Sequence, residues 1–300
     1  MLPIVYHPDY MAPLRQGHRF PMSKYGYLRD HLQRLGLLKS GGFVSPAPAA
    51  LRVLELAHTA DYVARTLSLT QTADEVRRIG LPNTERVVRR SRLSAAGTTL
   101  AGWLALEHGI ACNAAGGSHH AAAGHGAGFC VFNDVAVAAR ALLAQGVEGP
   151  FLVVDADVHQ GDGTARIFEG DDLVRTLSVH AAKNFPARKA ASDVDLALPD
   201  GVEDAVYLDA LGAALRNELA VCPPRLAFYN AGVDVHHADK LGRLALSDQG
   251  IRARDRLVLS TLRGAGVPVV GVLGGGYADN PDDVAARHAL MFEEAAALAD

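Results

Sequence analysis

The 300-residue sequence predicts a single α/β domain built on a doubly wound, parallel sheet. Two patterns point there. Short, nearly continuous apolar runs recur, as expected of strands covered on both faces. Longer stretches with apolar residues at helical spacing separate them. A third observation says where function should lie. Clusters of His, Asp and Gly follow the apolar runs, and open α/β sheets bind ligands beyond the carboxyl ends of their strands.

The elements follow in order. Pro3–Tyr6 is the first strand expected, and Ser40–Ala50 (SGGFVSPAPAA) is a glycine-proline loop joining an N-terminal helical region to the next helix. Arg86–Arg92 (RVVRRSR) alternates arginine with valine and serine, so it reads as a solvated helix face. Alanine- and leucine-rich Ser94–Glu107 is a helix, then Ile110–Ala114 a strand. Helix Asn133–Ala144 leads to strands Phe151–Asp155, Leu173–Val179 and Val194–Leu198. Helix Ala205–Leu219, strand Arg225–Tyr229, helix Asp248–Arg263 and strand Val267–Leu273 complete the alternation. No internal repeat or linker divides the chain, so one domain over residues 1–300 is expected.

Composition excludes several classes. With 49% hydrophobic and 21% charged residues the chain can bury a polar site in a sizeable core. The net charge of -4 and the absence of a wide basic patch argue against direct nucleic-acid binding. Three scattered cysteines with no CxxC pair fit a reducing compartment. No apolar run has signal-peptide or membrane-span length, so a cytoplasmic protein without membrane association is expected. Serine-hydrolase, P-loop and dinucleotide-binding fingerprints are missing.

The strand-end clusters carry chemistry. After Phe151–Val154 comes Asp155-Ala156-Asp157-Val158-His159. Residues two apart in extended chain point to one side, so Asp155, Asp157 and His159 share a face if the strand geometry persists. Carboxylate oxygens with an imidazole nitrogen suit zinc or another divalent first-row metal, and Asp234 could complete three ligands with an open position. His119-His120 admits two readings: loop histidines capping a helix, or paired imidazoles beside a metal-bound water. In the second, Asp155 and Asp162 remain to orient them. Tyr277 follows three glycines and is either a packed turn residue or a phenol aimed at a developing oxyanion. His236-His237 and His125 read as loop residues. His7, His18, His31, His58, His108 and His288 lack a matching constellation, and Cys130 reads as a buried thiol.

Taken together, GGSHHA (116–121), GFCVFND (128–134), DADVHQGDGT (155–164), NAGVD (230–234) and GGGY (274–277) resemble, in order, the motifs of zinc-dependent histone deacetylases and related bacterial deacylases. HRFPMSKYGYLRDHL (18–32) and RRIGLP (77–82) look most like the class IV branch. The resemblance implies the arginase–deacetylase fold, a parallel sheet of about eight strands flanked by helices. It implies Asp157, His159 and Asp234 as ligands of zinc, with iron(II) as an alternative metal. His119 and His120 would be the paired histidines, backed by Asp155 and Asp162 respectively, with His120 as general base and then acid. Tyr277 would be the transition-state tyrosine, and Gly128, Phe129 and Gly275 would wall the acyl-lysine tunnel. A structural potassium ion would sit on Asp155 and Ser178, with the main chain of Asp157, His159 and Val179.

Gln160 stands where many members carry histidine, and the loop Phe185–Lys189 (FPARK) departs from the family pattern. The substrate implied is an acyl-lysine protein or peptide, or a small acylated amine such as an acetylated polyamine. Two competitors share features of the pattern. A two-metal ureohydrolase would need further Asp-His ligands, which DADVH does not supply. A non-enzymatic binding protein would have lost some of the catalytic set, which is complete here.

Overall fold

The structure, a computed structural model, describes residues 2–38 and 41–299. Its strands are β1 (Ile4–Val5), β2 (Ile110–Asn113), β3 (Phe151–Asp155), β4 (Val174–Ala181), β5 (Val194–Leu198), β6 (Leu226–Asn230) and β7 (Val269–Val272). All pair in parallel, in the order β1-β2-β7-β6-β3-β4-β5. The helices are α1 (Lys24–Arg34), α2 (Leu51–Leu54), α3 (Ala60–Leu67), α4 (Ala73–Ile79), α5 (Glu85–His108), α6 (Asp134–Ala144), α7 (Asp162–Ile167), α8 (Asp204–Val221), α9 (Asp248–Gly264) and α10 (Pro281–Ala297). This is a single α/β domain, and no helix among the described residues is long and apolar enough to cross a membrane.

The sheet falls one strand short of the expected eight because the eighth is reduced to a single bridge. In the Ser40–Ala50 loop, Val44 pairs with Val5, and its N–H donates to the Ile4 carbonyl at 2.9 Å. Ser40 lies outside the described residues. The continuous apolar runs β2, β3, β6 and β7 are buried at every position. Edge strand β5 instead alternates half-buried Val194, Leu196 and Leu198 with exposed Asp195 and Ala197.

Two expectations are corrected. Strand β4 starts at Val174, one residue later than expected, and runs on to Ala181, so His180 lies within it. The arginine run is not simply a solvated face. Helix α5 begins at Glu85, behind a Thr84 cap, and takes in the whole run. Its period puts Val87, Arg90, Ser91 and Ser94 on the inner face, and of the arginines only Arg86 and Arg89 are exposed, both facing Asp9. Buried Arg90 donates through Nε to the Tyr10 carbonyl at 2.9 Å and stacks 4.8 Å from the Tyr25 ring centre.

Strand order reverses between β3 and β6. From β3 the chain moves outward to β4 and β5, and from β6 it moves the other way to β7. Their neighbouring strand ends are in register, Asp155 opposite Asn230. The loops leaving those ends open away from one another, which creates the crevice where open α/β sheets bind ligands. Fully buried Arg254 of α9 ties the two loops together, donating through Nη1 to the carbonyls of Ala156 and Gly232. Its charge is met by Asp255, 2.8 Å from Nη2. Arg254→Met would leave Asp255 buried without a countercharge, and should lower unfolding free energy by about 3–5 kcal/mol. Urea denaturation reads this directly, and an unshifted midpoint would refute the role of the clamp.

Candidate active site

The chain leaving β3 does not stay extended. The Asp157 N–H donates to Asp155 Oδ1 at 3.2 Å, and the His159 N–H donates to Asp157 Oδ1 at 3.0 Å. Each aspartate thus closes a turn on the backbone two residues ahead. These turns replace the single shared face expected from strand alternation. They draw Asp157 and His159 together and send Asp155 elsewhere. His159 Nδ1 lies 3.1 Å from Asp157 Oδ1 and 3.1 Å from Asp234 Oδ2. The outer oxygens are held by backbone: Gly275 N–H donates to Asp157 Oδ2 at 2.6 Å, and Val158 N–H to Asp234 Oδ1 at 2.9 Å.

One ligand-type atom from each of Asp157, His159 and Asp234 lies within 4.8 Å of the others, in a buried cluster. The donor set fits a divalent first-row cation. Its electrostatics agree. Burial opposes charge on His159, yet the Asp157 and Asp234 carboxylates raise the ring to about 10. Burial and the adjacent Asp157 charge raise Asp234 to about 7. The group therefore favours positive charge at its centre.

Asp155 turns to His119, with Oδ2 2.7 Å from Nδ1, and Asp162 Oδ1 lies 2.8 Å from His120 Nδ1. The two Nε2 atoms are 3.1 Å apart. Burial works against charge on His119, and Asp155 and Asp157 outweigh it, raising the ring to about 9. Burial and neighbouring His119 press His120 down to about 3, against the pull of Asp162. The adjacent rings are thus driven apart, toward a charged His119 and a neutral His120.

A cavity of about 530 Å³ reaches this cluster, touching His120, His159 and Tyr277. Gly128 and Phe129 line it, both with positive φ (53° and 67°). Phe129 is held in that strained conformation by its N–H, which donates to the Ile79 carbonyl at 2.6 Å. The Tyr277 ring centre lies 5.9 Å from that of Phe129 and 6.3 Å from that of His159. Burial, then the Asp234 and Asp157 charges, push the phenol well above its usual range, so it keeps its proton and can donate. Gly275 lines an adjoining recess with Gly128, Phe129 and Tyr277. It also lies against the carboxylates, where an added Cβ would collide with Asp234 Oδ2.

The histone deacetylase domain family matches residues 18–293. The chain belongs to the histone deacetylase family. The chain is 47% identical over 293 residues to an uncharacterized protein of Picosynechococcus sp., covering 98% of both chains. It is 30% identical over 287 residues to histone deacetylase 2 of Arabidopsis thaliana, covering 91% of this chain and 74% of that one. The crystal structure of the HDA15 HD domain superposes with a TM-score of 0.83 over 99% of this chain and 88% of that one, at 21% identity, and speaks for the fold. Membership makes this chain a hydrolase acting on amide bonds, in a family that generally depends on a metal.

Several residues that support the candidate site escaped the sequence reading. Asn230 Nδ2 donates to Asp155 Oδ1 at 2.9 Å. Asp134 accepts the Ser118 and Gly117 N–H groups at 2.7 and 3.2 Å, fixing the loop that carries both histidines. Each was quoted only as part of a motif, and a buried polar side chain beside a glycine turn was the available signal. Asp239, which accepts the Tyr277 N–H at 2.6 Å, had none. Phe185, from the divergent loop, lies edge-on to His120 with ring centres 4.8 Å apart. His18, read as structural, lines the cavity.

The remaining placements are plainer. Ser178 pairs in register with Asp155, placing both of the expected potassium side chains on neighbouring strands. Buried His236 faces Asp248 at 3.2 Å, while His237 is exposed. Burial pushes the Cys130 thiol far above its usual range, which suits a packed thiol and not a nucleophile. Gly275→Ala should displace a ligand carboxylate and weaken divalent-metal uptake at least tenfold while the far-UV circular dichroism is kept. Chelator competition measures it, and unchanged affinity would separate these carboxylates from metal binding.

Proposed function

We propose that the chain is a zinc-dependent deacylase of lysine side chains, removing acetyl or longer acyl groups. The observation that carries this reading is the paired His119-His120, each ring backed by its own carboxylate, beside the buried Asp157–His159–Asp234 group at the floor of one cavity. Asp157, His159 and Asp234 would hold the metal, zinc by donor chemistry, with iron(II) able to replace it. When bound, the metal polarises the amide carbonyl and lowers the pKa of water from about 15.7 toward neutrality. A potassium ion on Asp155, Ser178 and the main chain of Asp157, His159 and Val179 would steady the floor.

The chain's own groups supply the rest. Gly128, Phe129 and Phe185 pass the neutral acyl-lysine stem between apolar surfaces and exclude water. His120, neutral and fixed through Asp162, takes a proton from the attacking water at Nε2 and returns it to the leaving amine. His119, charged and held by Asp155, stabilises the negative charge that develops beside it. The Tyr277 hydroxyl donates to the former carbonyl oxygen as it becomes an oxyanion. The products are a carboxylate and a free amine.

Deacylation of polyamines would need carboxylates at the cavity mouth to bind a polycation. The lining is arginine-rich instead, which favours an acyl-lysine peptide. The three cysteines are free, in keeping with a cytoplasmic location.

Tyr277→Phe should keep full metal content and lower turnover at least tenfold, since losing one oxyanion donor typically costs about 100- to 1000-fold. Near-wild-type turnover would refute the donor role. Asp234→Ala should abolish metal retention through gel filtration, and stoichiometric metal in that variant would sink the ligand assignment. A panel of acyl-lysine peptides and acyl-polyamines on zinc-loaded enzyme, with a hydroxamate control, tests the reading as a whole.

A further inference from the structure

We propose that the mouth of this cavity selects acyl-lysines flanked by acidic residues, an inference that rests on the lysine-deacylase reading. Six cationic side chains line the cavity: Arg15, Arg19, Arg77, Arg78, Lys183 and Arg243. They come from separate parts of the chain: the segment before α1, the last turn of α4, the loop after β4, and the loop before α9. All are exposed, so they form the rim and not the floor. Among the described residues, no Asp or Glu joins them in lining the cavity. The concentration is local, because the chain as a whole carries a net charge of -4.

Nearby carboxylates do not cancel the rim. Asp74 is held by Arg77, and Asp200 lies 3.0 Å from Arg243. In the adjoining recess Asp279 is engaged by Lys240. Arg15, Arg19, Arg78 and Lys183 ion-pair with no carboxylate among the described residues. Holding four unpaired cations around one opening raises the local concentration of anionic partners and repels cationic ones.

The depth of the charge decides what it reads. Below the rim the walls are Gly128, Phe129 and Phe185, which carry no charge. A carboxylate on the acyl group itself would have to leave the rim and shed its water in that uncharged passage. Residues on either side of the acyl-lysine stay outside, at the level of the arginines. The rim therefore favours Asp and Glu flanks, and disfavours basic tails.

The test uses acetyl-lysine peptides of one length that differ only in their flanking residues: Asp/Glu, Ser/Gly or Lys/Arg. With metal-loaded full chain at low salt, kcat/KM should be at least tenfold higher for acidic than for neutral flanks, and lowest for basic flanks. The gap should lie mainly in KM and close as salt rises. In the variant Arg15→Glu/Arg78→Glu the acidic-to-neutral ratio should fall toward one; the ratio is the readout, so a general loss of folding or turnover cancels. The wild-type comparison stands even without the variant. Equal kcat/KM across the set, or a basic preference, overturns the proposal and leaves the deacylase reading intact. If no peptide is turned over, anisotropy binding of the same peptides decides. A salt-sensitive acidic preference upholds the selective mouth and sinks the deacylase reading, whereas no preference sinks both.

Discussion

Three carboxylates, Asp155, Asp157 and Asp234, are buried side by side where strand order reverses between β3 and β6. Uncompensated, such a group would be among the most destabilising features a fold could contain. Much of the surrounding structure serves to compensate it. Backbone N–H groups of Asp157, Val158, His159 and Gly275 donate to the carboxylates, and Asn230 adds a side-chain donor. His119 and His159 bring imidazoles within 3.1 Å. What these donors leave over is net negative charge focused at one point, the property a cation site requires. Stability and chemistry thus meet in a single constraint.

The constraint also explains the long-range architecture. Asp157 and Asp234 are far apart in sequence, and their meeting depends on the parallel register that sets Asp155 opposite Asn230. Arg254 reinforces it from behind by joining the Ala156 and Gly232 carbonyls. Gly275 then closes the group from β7, approaching so near that no side chain would fit. Three strand ends, those of β3, β6 and β7, therefore build one floor. The histidine pair arrives on the loop after β2, anchored by Asp134 at the start of α6.

Strand positions were legible in the sequence because burial on both faces leaves continuous apolar runs at β3, β6 and β7. The motif residues were legible because they follow those runs. What the pattern could not convey was backbone direction after a strand. Alternation placed Asp155, Asp157 and His159 on one face, whereas Asx turns separate Asp155 from the other two. Nor could it convey close approach, which packs Gly275 directly against the carboxylates. Arg90 looked solvated because charge dominates a local reading; helical period and the aromatic rings of Tyr25 and Phe20 decide otherwise. The cationic rim was illegible for a different reason, since its members lie in four unconnected segments.

A cationic rim lies above an apolar passage, and that layering would bear on the whole reaction cycle of a lysine deacylase. On the proposed function, the acyl-lysine amide is neutral and would cross the passage without a desolvated charge. Hydrolysis would then create an ammonium group inside it. An acidic peptide that was drawn to the rim by its flanks becomes less negative by one charge when the acyl group leaves. Its attraction to Arg15, Arg19, Arg78 and Lys183 weakens at that moment, because the same Coulomb sum now contains a repulsive member. Under the proposed selectivity, the rim itself would thereby favour substrate over product.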